Sequence, residues 1–336
     1  MELFNNHRKL FSTAFWFFAG LTFFVAILPA INNQENNAPL PEAIPLSKEA
    51  EAGKKVFIDN GCVACHTQQV RNVEMDKVWG QRPSMAADYA ANTRTDFWRN
   101  TATLMGTERT GPDLTNVGTR QSSSLWNLLH LYQPRSLVEK SVMPAYPWLF
   151  EIKDSLQNGD VEVMVPDKFR QHVKGKIVAS QDALNLDAYL LSLKQTPLPD
   201  GTIPVEFLYK QPAKAKSDST NNIEDGKALY VSNCQSCHQS NGEGLKGAFP
   251  PLKGSAVVLD DNVETYVTII MNGYDARPEY GVMPAVGRNN NLTPEQVTAI
   301  INHERTTWGN NAKFVSQEDV IKIIDFLIAT SNNEGN

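Results

Sequence analysis

Cysteine is scarce in this sequence, and none of it is spare. The four cysteines among 336 residues fall in two short stretches, NGCVACH at 60–66 and NCQSCH at 233–238, which excludes a disulfide-dense scaffold. A basic excess is also missing: the formal net charge is −6. Nucleic acid is therefore not an expected partner, whereas a basic protein surface is. No run of alternating apolar and polar residues is long enough for a substantial sheet, so the chain reads as mostly α. Histidine is limited to six residues that do not cluster with other ligands, which argues against a copper or non-haem iron site.

One long apolar run is present. Leu10 to Ile31 carries no charge over 22 residues, a helix of about 33 Å against a hydrocarbon core of about 30 Å. The run is longer than the ~7–15-residue core of a cleaved signal and lacks an A-x-A site, so residues 1–31 read as a cytoplasmic N-terminus and retained transmembrane anchor. Arg8 and Lys9 precede the span and Glu35 follows it. That asymmetry predicts an N-terminus in the cytoplasm and the rest in the periplasm.

Two polar, proline-rich segments, 32–46 and 196–222, divide what remains into 47–195 and 223–336. These halves repeat. GKKVFIDNGCVACH at 53–66 parallels GKALYVSNCQSCH at 226–238, VMPA occurs at 142–145 and 282–285, and each half closes on a helix-like pattern, at 184–194 and 320–330. Two helical domains of one type on a single anchor are expected. In the first, Glu49 and Glu51 suit the start of a helix, Lys54 and Lys55 its end, Glu51 can meet Lys55, and Gly61 suits the terminus.

Cys-x-x-Cys-His is the attachment signature of c-type haem, the thiols taking the two vinyl groups and the histidine the iron. The expectation is two covalently bound haem c, through Cys62, Cys65 and His66 and through Cys234, Cys237 and His238. A redox disulfide needs no following histidine, and a shared zinc site leaves both histidines unexplained. Methionine is favoured as the sixth ligand of a higher-potential haem. Met283, stiffened by Pro284 in GVMPAVG, is preferred over the helix-embedded Met271, and the shared VMPA selects Met143 over Met75, Met85, Met105 and Met164, which read as packing residues. Pro112 and a proline of FPPL, Pro250 or Pro251, are candidate carbonyl partners for the histidines' second nitrogens. His130 reads as structural, His172 as exposed and His303 as a polar residue late in a helix. No residue is expected to make or break bonds.

The halves differ in spacing. His66 to Met143 spans 77 positions and His238 to Met283 only 45, so the first carries an insertion rich in aromatic and arginine residues that suits either an interface or a core.

RTGPDLTNVGTR at 109–120 and HLYQPRSLVEKSVMPAYPWLF at 130–150 resemble subunit II of cbb3-type cytochrome c oxidases, the CcoO/FixO family, over residues 47 to about 150. Residues 223 to 332 resemble a class I cytochrome c through NGEGLKGAFPPLKGS, VMPAVG and the stretch ending in TTWGN. The resemblance implies a respiratory electron-transfer subunit. Its implied partners are a haem-copper catalytic subunit in the membrane, a donor cytochrome c and a further cytochrome c subunit. That family is mono-haem and ends soon after its first domain, so the second domain is an addition. The cytochrome subunit of a nitric oxide reductase and a free-standing membrane-bound shuttle are the alternatives.

Overall fold

A computed structural model describes residues 4–36, 38–95, 98, 103–170, 173–208, 222–277 and 279–333. His172 and part of the insertion lie outside them. The chain forms two compact units: Met1–Pro45 with Met85–Thr93 and Thr196–Ile203, and Leu46–Ser84 with Arg94–Gln195 and Pro204–Asn336.

The first unit holds α1 (His7–Asn36), a 30-residue helix long and apolar enough to cross a membrane, with none of its apolar stretch buried. Asn6 caps it by accepting the Lys9 N–H at 3.1 Å. Pro29 has no N–H to give Val25, and the backbone ahead of it widens into a π turn at Thr22–Ile27 that absorbs the missing bond.

The second unit is mostly helical. In its first half α2 (Lys48–Asp59) crosses α4 (Gln181–Ser192). Ser47 and Ser180 cap the two helices through the N–H groups of Ala50 and Ala183, and Phe57 meets Tyr189 edge-on at 5.5 Å. The crossing is close enough that a Cβ at Gly53 would lie 1.9 Å from the Asn185 carbonyl oxygen. Lys55 pairs with Asp59 rather than with Glu51, and Lys54 turns its stem into the buried face. Between these helices lie α3 (Ser124–Tyr132) and a two-stranded antiparallel sheet, β1 (Phe150–Lys153) on β2 (Lys176–Ala179), with Phe150 opposite Ala179.

The second half repeats the crossing with α5 (Asn222–Asn233) on α7 (Pro294–Thr306), where a Cβ at Gly226 would lie 2.2 Å from the Ala299 carbonyl oxygen. α7 starts with a capping box, Thr293 and Gln296 each accepting the other's backbone N–H. The partner of α5 is thus α7 and not the closing apolar pattern at 320–330. That pattern forms α8 (Gln317–Asn333), which packs against α7 and α6 (Glu264–Asn272). Met271 is buried in this second core, as its helical setting predicts, whereas Met75, Met85, Met105 and Met164 are all substantially exposed. They sit on loops and single turns.

Candidate haem-binding sites

Each Cys-x-x-Cys-His segment follows directly on a helix crossing. In the first half α2 ends at Asn60, Gly61 takes the left-handed conformation at φ 69°, and the chain turns sharply into Cys62. The His66 Nδ1–H donates to the Pro112 carbonyl at 2.8 Å, leaving Nε2 as the free donor atom for a metal. A Cβ at Gly111 would fall 2.3 Å from His66 Cε1, so only glycine lets this loop lie against the imidazole.

The loop is anchored by charge. The Asp113 carboxylate, wholly buried, accepts the Thr67 hydroxyl at 2.6 Å and the Gln69 and Thr115 N–H groups at 2.9 Å each. It thereby ties the residue after His66 to the residue after Pro112. Arg109 bridges it to a second buried carboxylate, Asp76, at 2.6 Å, and Arg71 closes on Asp76 at 2.9 Å. Met143 is half-buried at the edge of the first core. The chain just after it is pinned twice, by Tyr146 N–H on the Leu131 carbonyl and by the Trp148 indole on Asn60.

In the second half the His238 Nδ1–H donates to the Pro250 carbonyl at 2.9 Å. Pro251 lines the same cavity without making that bond. Met283 exchanges both backbone hydrogen bonds with Tyr274 at 2.9 Å. A Cβ at Gly273 would meet the Met283 carbonyl at 2.6 Å. Cys234, His238, Pro250 and Met283 all line one mainly apolar cavity that is partly open to solvent.

The residues present fit a haem. Burial lowers the affinity of His66 and His238 for a proton, so both present neutral imidazole. Beside the first site the Trp126 Nε1 and Arg120 Nε donors and the His130 Nδ1 nitrogen are buried without a hydrogen-bond partner, as polar groups would be that await the carboxylates of a cofactor. His130 is buried and stacks on Trp126 at 4.4 Å, and burial with the nearby His66 pushes it down to about 4. His303 lies late in α7, but buried between Tyr230 and Trp308. Burial pushes the Cys62 and Cys237 thiols up to about 11, the reverse of the lowered value that a dithiol redox site needs. Gly111, Asp113 and His130 are the residues that motif reading passes over, and the GPDL block was the available signal for the first two.

Comparison with known proteins decides the family. The model of the cytochrome c oxidase mono-haem subunit, FixO, matches residues 2–186. The chain belongs to that family. The model of subunit III of cbb3-type cytochrome c oxidase matches residues 221–303, so the FixO-like part carries a second cytochrome c domain behind it. The chain is 32% identical over 143 residues to the cytochrome c subunit of a quinone alcohol dehydrogenase from Gluconacetobacter polyoxogenes, covering 41% of the chain and 30% of that protein. It is 33% identical over 98 residues to cytochrome c-552 of Thermus thermophilus, covering 26% and 72%. A fructose dehydrogenase cytochrome subunit from Gluconobacter japonicus is 30% identical over 165 residues, covering 39% and 34%. The chain spans under a third of the quinone dehydrogenase subunits it matches. Both families are c-type cytochromes and imply covalently bound haem c. The FixO member is thus a membrane cytochrome c, an electron-transfer component of an oxidoreductase complex.

Proposed function

We propose that this chain is the di-haem, membrane-anchored cytochrome subunit of a cbb3-type terminal oxidase, relaying single electrons toward a haem-copper subunit that reduces oxygen to water. The observation that carries the reading is that both matching family models are oxidase subunits and together cover most of the chain. Cys62 and Cys65 hold one haem, with His66 and Met143 on its iron; Cys234 and Cys237 hold the other, with His238 and Met283. When bound, each haem supplies a one-electron couple. The protein residues orient it: the Pro112 and Pro250 carbonyls fix the imidazole tautomers, and the pinned VMPA loops present the thioethers. The C-terminal site accepts electrons from a donor cytochrome c, and the N-terminal site, in the domain type that the family docks on its catalytic subunit, passes them on. Arg8 and Lys9 ahead of α1 set the N-terminus in the cytoplasm and both sites in the periplasm.

A second reading comes from the dehydrogenase relatives, in which the same domains would serve a quinone-linked dehydrogenase. Purification of the complex from membranes separates the two. A multi-span haem-copper subunit at fixed stoichiometry, with oxygen uptake, supports the oxidase. A large soluble dehydrogenase subunit with quinone-coupled turnover overturns it, as does nitric oxide consumption in place of oxygen uptake or isolation as a lone cytochrome.

A further inference from the structure

One buried carboxyl group has no part in holding a haem. Glu304 lies on α7, only 3% exposed, and forms part of the wall of the cavity that His238 and Met283 share. The Tyr266 hydroxyl from α6 donates to its Oε2, and the Cys234 sulfur is its other hydrogen-bonding neighbour. Among the described residues no cation answers it. The adjacent Arg305 guanidinium is taken up by the carbonyls of Val258, Asp260 and Lys313 at 2.6–2.8 Å, and Lys227 acts on His303 instead. The groups that face Glu304 from the packed elements are Tyr230 and Cys234 at the end of α5 and Tyr266 on α6; His238, Asp275 and Arg277 line the same cavity, and neither Asp275 nor Arg277 pairs with Glu304 or contributes to its shift. The helical turn Ala256–Leu259 contains no titratable side chain, and no charged group of α8 pairs with Glu304.

A carboxylate without a counter-ion in such a place is costly and takes a proton instead. What can offset the cost is a positive charge in the cavity it faces, and a haem supplies one more in its oxidised form than in its reduced form. We infer that Glu304 is a proton-binding site coupled to the C-terminal centre, taking up one proton when that centre gains one electron and releasing it on oxidation. The inference rests on the proposal that this cavity holds a haem. The electron comes from a one-electron donor of the cytochrome class and the proton from water. An O–H bond forms at the carboxylate of Glu304, and no other bond is made or broken. Burial pushes the carboxyl up to about 8, inside the range where a periplasmic protein works.

The test is a spectroscopic redox titration of the full-length holoprotein between pH 6 and 10, with Met283→His identifying the C-terminal wave. In the unsubstituted protein that wave should fall by about 59 mV for each tenfold drop in proton concentration around pH 8, while the other wave stays flat. Glu304→Gln should remove the slope and Glu304→Asp should keep it. The redox-difference infrared spectrum should lose a carboxylic-acid band in Glu304→Gln alone, and ferricyanide oxidation of the unsubstituted protein should release a proton, a readout independent of any variant. A flat wave in the unsubstituted protein, or a slope that survives in Glu304→Gln, overturns the inference. Absence of covalent haem at Cys234 and Cys237 in a haemochrome assay overturns the haem assignment instead.

Discussion

At the scale of single residues the two sites are built alike: an imidazole whose Nδ1–H is spoken for by a proline carbonyl, and a methionine on a stiffened loop. On the proposed assignment, Met143 and Met283 are the residues that would set the potentials. Met143→His replaces a thioether by a stronger donor to oxidised iron, so one haem potential should drop while the other stays put in a redox titration; if neither wave moves, the ligand is another residue. The charge cluster under the first site should control acid stability. Burial alone would raise Asp76, but hydrogen bonds from Arg71 and Arg109 outweigh it and hold its carboxyl below the usual range. A depressed folded value contributes stability above the unfolded carboxylate range near about 4, lost as pH falls through the folded value. Asp76→Asn should cost about 3 kcal/mol at neutral pH and flatten the acid limb of a denaturation profile taken between pH 3 and 7. The histidines, cysteines and VMPA pair could be read from the sequence because their chemistry is encoded in neighbouring positions. The GPDL block marks Asp113 but not its role, which is to hold Thr67, 46 positions away in the chain, and Glu304 reads as one more polar helix residue until its burial is known.

At the scale of elements, each half depends on one glycine at a helix crossing. Gly53 and Gly226 stand at the same place in the sequence repeat, and each faces a backbone carbonyl of a second helix. No side chain fits there without separating the helices. Gly226→Val should overpack the α5–α7 crossing, costing about 1–3 kcal/mol, with loss of the C-terminal haem's absorbance before that of the N-terminal one during thermal melting. Equal loss at both sites would show that the crossing does not govern its own half. The repeat aligns the two glycines at one position, but by itself says nothing about which helix each one faces. Apolar periodicity at 320–330 is as strong as at 184–194, yet α7, which carries Asn302, Glu304 and Arg305 on buried positions, is the helix that α5 crosses. Polar residues that find internal partners do not show as an apolar face, so periodicity undervalued α7.

At the scale of the whole molecule, α1 sits in one compact unit and both Cys-x-x-Cys-His segments in the other. Within that other unit the two halves are not beads on a string. Ala248 and Phe249, 0% and 4% exposed, belong to the same apolar cluster as Leu128, Leu129 and Leu186 of the first half, with Met143 and Cys237 packed at its margin. Asn289 donates to the Thr119 carbonyl at 2.6 Å, and a Cβ at Gly281 would touch Ser123 and Leu125. The proline-rich segment 196–222 marks a boundary in the sequence, but such a segment says nothing about what its two ends bury against each other. Continuous core of this kind should make the halves unfold together. In denaturant titrations of the holoprotein the signals of the two sites should coincide, and Phe249→Ala should lower stability by about 3–5 kcal/mol while splitting the transition in two. Two separate transitions in the unsubstituted protein, unchanged by Phe249→Ala, would mean that the shared cluster contributes nothing to coupling. Removal of residues 196–336 would then leave a stable first half, whereas a shared core requires that the truncated chain expose apolar surface and aggregate.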